Sequence, residues 1–233
     1  LQRLGYVPAL ATVSADILQH ICKKARLPKP GKEALAQYER TGHKARHMQC
    51  LRSYLELSVV DADARTWLTQ RAELAAQTKQ ELPDIINVLL EELIRHRYEL
   101  PGFTVLSRIA RQARTAVNER LYLSVEKGLS PVTMAGLDQL LTGQPGRSGW
   151  DQVKREPKRP TAREVASFLQ HIQWLAELAE GLPALKDVAV TKRQQLVLEA
   201  RALDIAEMRA LKEPKRYTLA VLLVQSQMQK AMD

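Results

Sequence analysis

Cysteine is nearly absent. Cys22 and Cys50 are the only two in 233 residues, too few for a disulfide framework, and neither a CxxC pair nor a signal peptide accompanies them. They read as small buried hydrophobes of a protein in a reducing, cytosolic compartment. Long apolar runs are lacking as well. The most apolar stretch, Leu219 to Val224, falls far short of the roughly 18 residues that a membrane-spanning helix needs, so no membrane partner is expected. Glycine and proline number 10 and 11, which excludes collagen-like and low-complexity chains. With only two phenylalanines, the chain has no stacking motif for unpaired bases, which disfavours an RNA-binding module. No P-loop, GxGxxG, GxSxG or HExxH is present, so no catalysis is expected of this stretch itself.

What the chain has is apolar mass and positive charge. Hydrophobic residues make up 45%, enough for a core, and 35 Lys and Arg against 26 Asp and Glu leave a formal charge of +9. The excess is uneven. Residues 1–52 carry 10 basic and 3 acidic side chains, 104–127 carry 5 and 2, and 147–163 carry 6 and 2. By contrast, 81–103 is acidic and 164–233 holds 9 of each. Charge gathered in blocks has the form of a binding surface for a polyanion, whereas charge serving solubility is spread more evenly.

Apolar residues recur at i, i+3, i+4 and i+7 with no sustained alternation, so the expected fold is all-α. The pattern predicts helices over 14–26, 33–41, 43–57, 62–80, 84–98, 104–127, 131–142, 148–155, 162–180, 191–203, 205–211 and 215–232. Ser130 before Pro131, Thr161 with Glu164, and Thr191 with Gln194 have the spacing of N-terminal caps, and Gly128 and Gly181 stand as C-terminal stops. The sequence opens on Leu1, not Met, and its helical pattern runs to the last residue, so a part of a longer protein is expected.

Three basic blocks are candidate binding elements. In the first, Thr41 or Gly42 opens a helix whose first turns crowd His43, Lys44, Arg46 and His47, continued by Arg52. Free amides at a helix start and flanking cations suit phosphate. His43, His47 and Cys50 also share a face at metal-ligand spacing, though no fourth ligand is evident. In the second block, Leu100-Pro101-Gly102 forces a turn, and Thr104 is placed to cap the next helix, giving a helix-turn-helix layout. Leu106, Ile109, Ala110, Ala113, Val117 and Leu121 fall on one face of it, with Thr104, Ser107, Arg108, Arg111, Gln112, Thr115 and Asn118 on or beside the other. Arg can bridge guanine, Gln or Asn can bridge adenine, and Ser or Thr can bond phosphate. An ordinary solvated helix face has the same composition. The third block, Arg147 to Pro160, holds Arg147, Lys154, Arg155, Lys158 and Arg159 around Trp150, and reads either as a phosphate clamp or as a loop that Trp150 anchors to the core. The carboxylate pairs Asp61/Asp63 and Glu91/Glu92 read as a helix cap region and a solvated helix face.

Leu100-Pro-Gly-Phe-Thr-Val-Leu-Ser-Arg108 resembles the LPG-x-T-x-L-x-R segment of Tn-three family replicative transposases, with Val105 where a polar residue is more usual. Arg46-His47, Trp67-Leu68, Ser148 to Pro157, and Glu213 to Arg216 with Leu219 to Val224 resemble further family segments in the same order. The resemblance covers essentially the whole chain. It implies an all-helical region that binds double-stranded DNA at the terminal inverted repeats of a bacterial transposon, in the cytoplasm and associated with the nucleoid. The implied organisation is two DNA-binding modules, 1–80 and 81–160, and a helical bundle, 161–233. The bundle would lead to a separate DDE catalytic domain that holds divalent metal, leaving this stretch without a cofactor. The implied DNA-facing residues are His43, Lys44, Arg46 and His47 together with Thr104, Ser107, Arg108 and Arg111. Self-association of the full-length protein is compatible with it, and a helical scaffold with basic patches for an acidic protein partner is the rival reading.

Overall fold

The computed structural model describes residues 9–157 and 161–232, and these are helical almost throughout. After a short 3-10 turn at Leu10–Thr12 come α1 (Ala15–Ala25), α2 (Lys32–Arg40), α3 (Gly42–Leu55), α4 (Ala62–Thr78), α5 (Leu82–Arg95) and α6 (Phe103–Lys127). They are followed by α7 (Pro131–Leu140), α8 (Gly149–Val153), α9 (Ala162–Ala179), α10 (Val190–Ala202), α11 (Ile205–Ala210) and α12 (Glu213–Met232). No strand occurs among the described residues; one isolated bridge joins Ser58 and Tyr98. All twelve expected helices are present, with ends moved by at most three residues.

Local chemistry accounts for most of those ends. The Ser130 hydroxyl accepts from the Thr133 amide ahead of Pro131, the Thr161 hydroxyl accepts from the Glu164 amide, and Gly181 follows α9 with φ +76°. Two expected caps are different. Helix α10 starts one residue early behind Ala189, and Thr191 donates its hydroxyl to the Thr78 carbonyl at 2.8 Å, a tertiary partner outcompeting the local cap. Helix α6 opens at Phe103, where the Gly102 carbonyl already accepts from the Val105 amide, so Thr104 lies inside the first turn.

The chain divides into two compact units. The first comprises Leu1–Arg71 and Ile86–Arg108, the second Ala72–Ile85 and Ile109–Asp233. Buried residues of the first include Met48, Ala64, Leu68, Leu89, Leu93 and Leu106. Its α3 end is pinned ahead of α6, since the Ser58 amide donates to the Arg97 carbonyl, the Glu99 amide to the Ser58 carbonyl, and Arg52 Nε to Glu99 Oε2 at 2.6 Å.

The second unit is built on α12. Leu219 to Val224 are all buried, so this stretch of the helix is apolar on every side, as the middle of a helix surrounded by others must be. Helices α9 and α10 pack on it, and the same core takes Val125 of α6, Leu137 and Leu140 of α7, Trp150 and Val153 of α8, and Met208 of α11. The third basic block therefore hangs on a packed anchor. Trp150 is fully buried and its Nε1 donates to the Leu203 carbonyl at 3.0 Å. Gly149 is required beside it, because a Cβ there would meet Leu140 Cα at 2.9 Å.

Candidate nucleic-acid interface

The first basic block is largely occupied by its own neighbours. Lys44 pairs with Glu39, whose carboxyl is held below its usual range by the Leu10 amide and by Lys44. Arg46 bonds His43 Nδ1 at 2.8 Å, His47 Nδ1 meets the Tyr38 hydroxyl at 2.9 Å, and Arg52 is tied to Glu99. His43, Arg46 and His47 stay exposed, so they can still face a ligand, but each begins with a partner. The His43, His47 and Cys50 grouping does not form a metal-holding cluster, nor does any set of three or more such residues among those described. The cysteines also depart from expectation, Cys50 being exposed and Cys22 half-buried rather than buried. Cys50 lies on the solvent side of α3, and Cys22, with Leu18, on the inward side of α1, a helix that buries no residue fully.

The second block is different in kind. Along α6, Leu106, Ile109, Ala110 and Ala113 are buried, and Val117 and Leu121 half-buried, as the periodicity predicts. Thr104, Arg108, Arg111, Gln112 and Thr115 are exposed and Ser107 is half-buried. Among the described residues none of these six side chains has a hydrogen bond or ion pair. Arg108 and Arg111, one turn apart on the helix, thus present ten N–H donors with no internal acceptor. Asn118 continues this face by helical angle but is covered there: it is 8% exposed and its Nδ2 donates to Gln80 Oε1 at 3.1 Å.

The third block divides. Arg147 is exposed without a side-chain partner among the described residues, whereas Lys154 donates to the Leu203 carbonyl and lies 4.9 Å over the Trp150 ring. Burial pushes the Lys154 ammonium below its usual range. Arg155 holds Glu164 at 2.8 Å and Ser167 at 3.1 Å. Lys158 and Arg159 lie outside the described residues.

The carboxylates have structural work. Asp61 Oδ1 accepts from the Ala64 amide at the start of α4. Glu92, expected on a solvated face, is drawn in between Arg95 at 2.7 Å and Arg71 at 3.4 Å. Sequence reasoning passed over Arg95 and Arg97, which flank the turn before α6 and are 68% and 64% exposed at their side chains. They stand in the segment whose net charge is acidic, and counting by segment hid them.

Residues 1–113 match a domain of unknown function (DUF4158). The transposase for transposon Tn501 of Pseudomonas aeruginosa is 27% identical over 194 residues, 81% of this chain and 19% of that protein. The transposases for Tn3926 and Tn21 of Escherichia coli are each 24% identical, over 157 and 155 residues, 65% of this chain and 15% of theirs. The chain spans less than a fifth of the length of these curated relatives. The unpartnered α6 face lies within the matched stretch of the family domain for most of its length, from Thr104 through Gln112. Over most of its length the chain is thus similar to transposases of bacterial transposons, and its first 113 residues match this domain of unknown function.

Proposed function

We propose that this chain acts in DNA transposition by binding double-stranded DNA at transposon ends, with the 104–115 face of α6 reading bases. The observation that carries the reading is that Arg108 and Arg111 stand exposed on α6 with no partner among the described residues, while Lys44, Arg52, Lys154 and Arg155 of the other two blocks are held by carboxylates or a carbonyl. An arginine already paired must break that pair to bind a phosphate, whereas a free one exchanges only water. Helix α5, the 96–102 segment and α6 form the helix-turn-helix-like reader, with Thr104 to Arg111 entering the major groove first. His43, Arg46 and His47, with Arg147, contact the DNA backbone and set register. Residues 1–80 and 81–160 then supply two readers of successive parts of one site. Strand cleavage and its divalent metal belong to carboxylate chemistry outside these residues.

The test is a gel shift at fixed salt, using duplexes enriched from a randomised library by the unmodified chain. Arg108→Ala with Arg111→Ala should lose preference for the enriched duplex over its scrambled counterpart, by roughly tenfold or more at 1–3 kcal/mol per lost base contact. Undiminished preference would remove the recognition face from α6.

A further inference from the structure

In the first unit, helix α3 bears His43, Arg46 and His47 in its first turns and Arg52 near its end, and that end is fastened to the segment leading into α6. Arg52 Nε donates to Glu99 Oε2 at 2.6 Å, and the two side chains are only 28% and 17% exposed. Solvent screening is weaker there than at the neighbouring Arg97–Glu56 pair, which stands 3.9 Å apart with both side chains mostly exposed. Main-chain bonds hold the same place: the Ser58 amide donates to the Arg97 carbonyl at 2.8 Å and the Glu99 amide to the Ser58 carbonyl at 2.9 Å. The Tyr98 ring lies 5.6 Å from that of Trp67 on α4. Only Leu100, Pro101 and Gly102 then separate Glu99 from Phe103, where α6 begins.

The pair sits at the pivot of a lever. His43 precedes Arg52 by nine residues, about 13.5 Å along α3. A swing of roughly 15° at Arg52 carries His43 about 3.5 Å, and the axial step from one base pair to the next is about 3.4 Å. Loosening the pair can therefore unlink the phosphates that α3 grips from the bases that α6 reads. We propose that Arg52 and Glu99 are positioning residues for base reading: their bond couples the backbone contacts of α3 to the base contacts of α6 and so fixes the step at which α6 reads. This rests on the DNA-binding reading for both sets of contacts. Arg52 touches no DNA itself, because its charge is committed to Glu99.

The experiment measures binding of the 233-residue chain and its variants to the library-enriched duplex and to its scrambled counterpart, by fluorescence anisotropy over a range of salt. Arg52→Gln and Glu99→Gln should each lower the preference for the enriched duplex about fivefold, while affinity for the scrambled duplex stays within about twofold and its salt slope is unchanged. The double substitution should lose no more than the larger single loss, because both side chains act through one bond. A direct phosphate contact by Arg52 gives a different pattern. Arg52→Gln would then weaken both duplexes alike and take about 0.9 from the slope, and Glu99→Gln, by releasing the arginine, would tighten both. That pattern would overturn the proposal, as would a preference unchanged by either single substitution. Glu99→Asp, which keeps the charge and draws it back by one methylene, keeps the test open if a Gln variant fails to fold. It should lower the preference about twofold or more with scrambled binding unchanged, and no loss would overturn the proposal. If the unmodified chain prefers no duplex, base reading by α6 fails and the coupling with it. Preference lost in Arg108→Ala with Arg111→Ala but kept in both pair variants leaves base reading standing and removes the coupling alone.

Discussion

An arginine on an open helix face and an arginine beside a glutamate differ in what they offer a polyanion, and here that difference sorts the basic residues. Sequence places both kinds in the same blocks, because charge counting sees composition and not partners. Arg108 and Arg111 were legible from the helical period alone, whereas the ties of Arg52 to Glu99 and Arg155 to Glu164 arise between segments 47 and 9 residues apart and have no local signature. Asn118 was misplaced for a related reason: its partner Gln80 lies 38 residues away. Lys192 is the sharpest residue-scale consequence of burial. Its ammonium is 1% exposed, and burial, with Arg114 nearby, brings its pKa down to about 8. In the unfolded chain it titrates near 10.4. Between these values the unfolded state binds the proton and the folded state does not, so stability rises with pH across that window. Relative to Lys192→Met, the unmodified chain should gain on the order of 1–3 kcal/mol between about pH 8 and pH 10.5, measured by urea unfolding. A difference between the two that does not vary with pH would show that the ammonium stays charged in the fold.

Helix existence was legible at the level of elements because strong apolar periodicity and N-terminal hydroxyl residues act locally. What escaped were ends decided by tertiary contact, as at Thr191, or by residues that take the left-handed backbone without being glycine. Arg26, Glu56 and Arg97 close α1, α3 and α5 at φ between +52° and +59°. In each case the next amide reaches back to the carbonyl five residues before it, as Leu57 does to Arg52. A side chain there costs about 1–2 kcal/mol that glycine avoids, offset in part by glycine's greater freedom when unfolded. Glu56 is exposed and only 3.9 Å from its nearest cation, Arg97. Glu56→Gly should therefore raise stability by about 0.5–1 kcal/mol in chemical denaturation. Gly181→Ala, at φ +76° with its Cβ 3.3 Å from Thr133 Oγ1, should lower it by about 1 kcal/mol. Reversal of either sign would contradict the assigned helix ends.

Taken as a whole, the molecule keeps charge and core in different parts of the sequence. The last third holds equal numbers of acidic and basic residues and supplies α12, whose buried run Leu219 to Val224 was visible as the most apolar stretch. The basic excess lies earlier, and it includes the exposed face of α6, whose Arg108 and Arg111 have no partners among the described residues. Fold class and the composition of that face were readable because both follow from periodicity. Which cations are free was not, because pairing depends on three-dimensional neighbours. Counterion release gives this distinction a direct readout, since each phosphate neutralised adds about 0.9 to the slope of log affinity against log salt. The measurement is that slope for the unmodified chain, for Arg147→Ala, whose free guanidinium is placed on the backbone, and for Arg155→Ala, on the enriched duplex. The account predicts that Arg147→Ala lowers the slope by about 1 and that Arg155→Ala leaves it unchanged. A slope unaffected by Arg147→Ala, or lowered by Arg155→Ala instead, would contradict it.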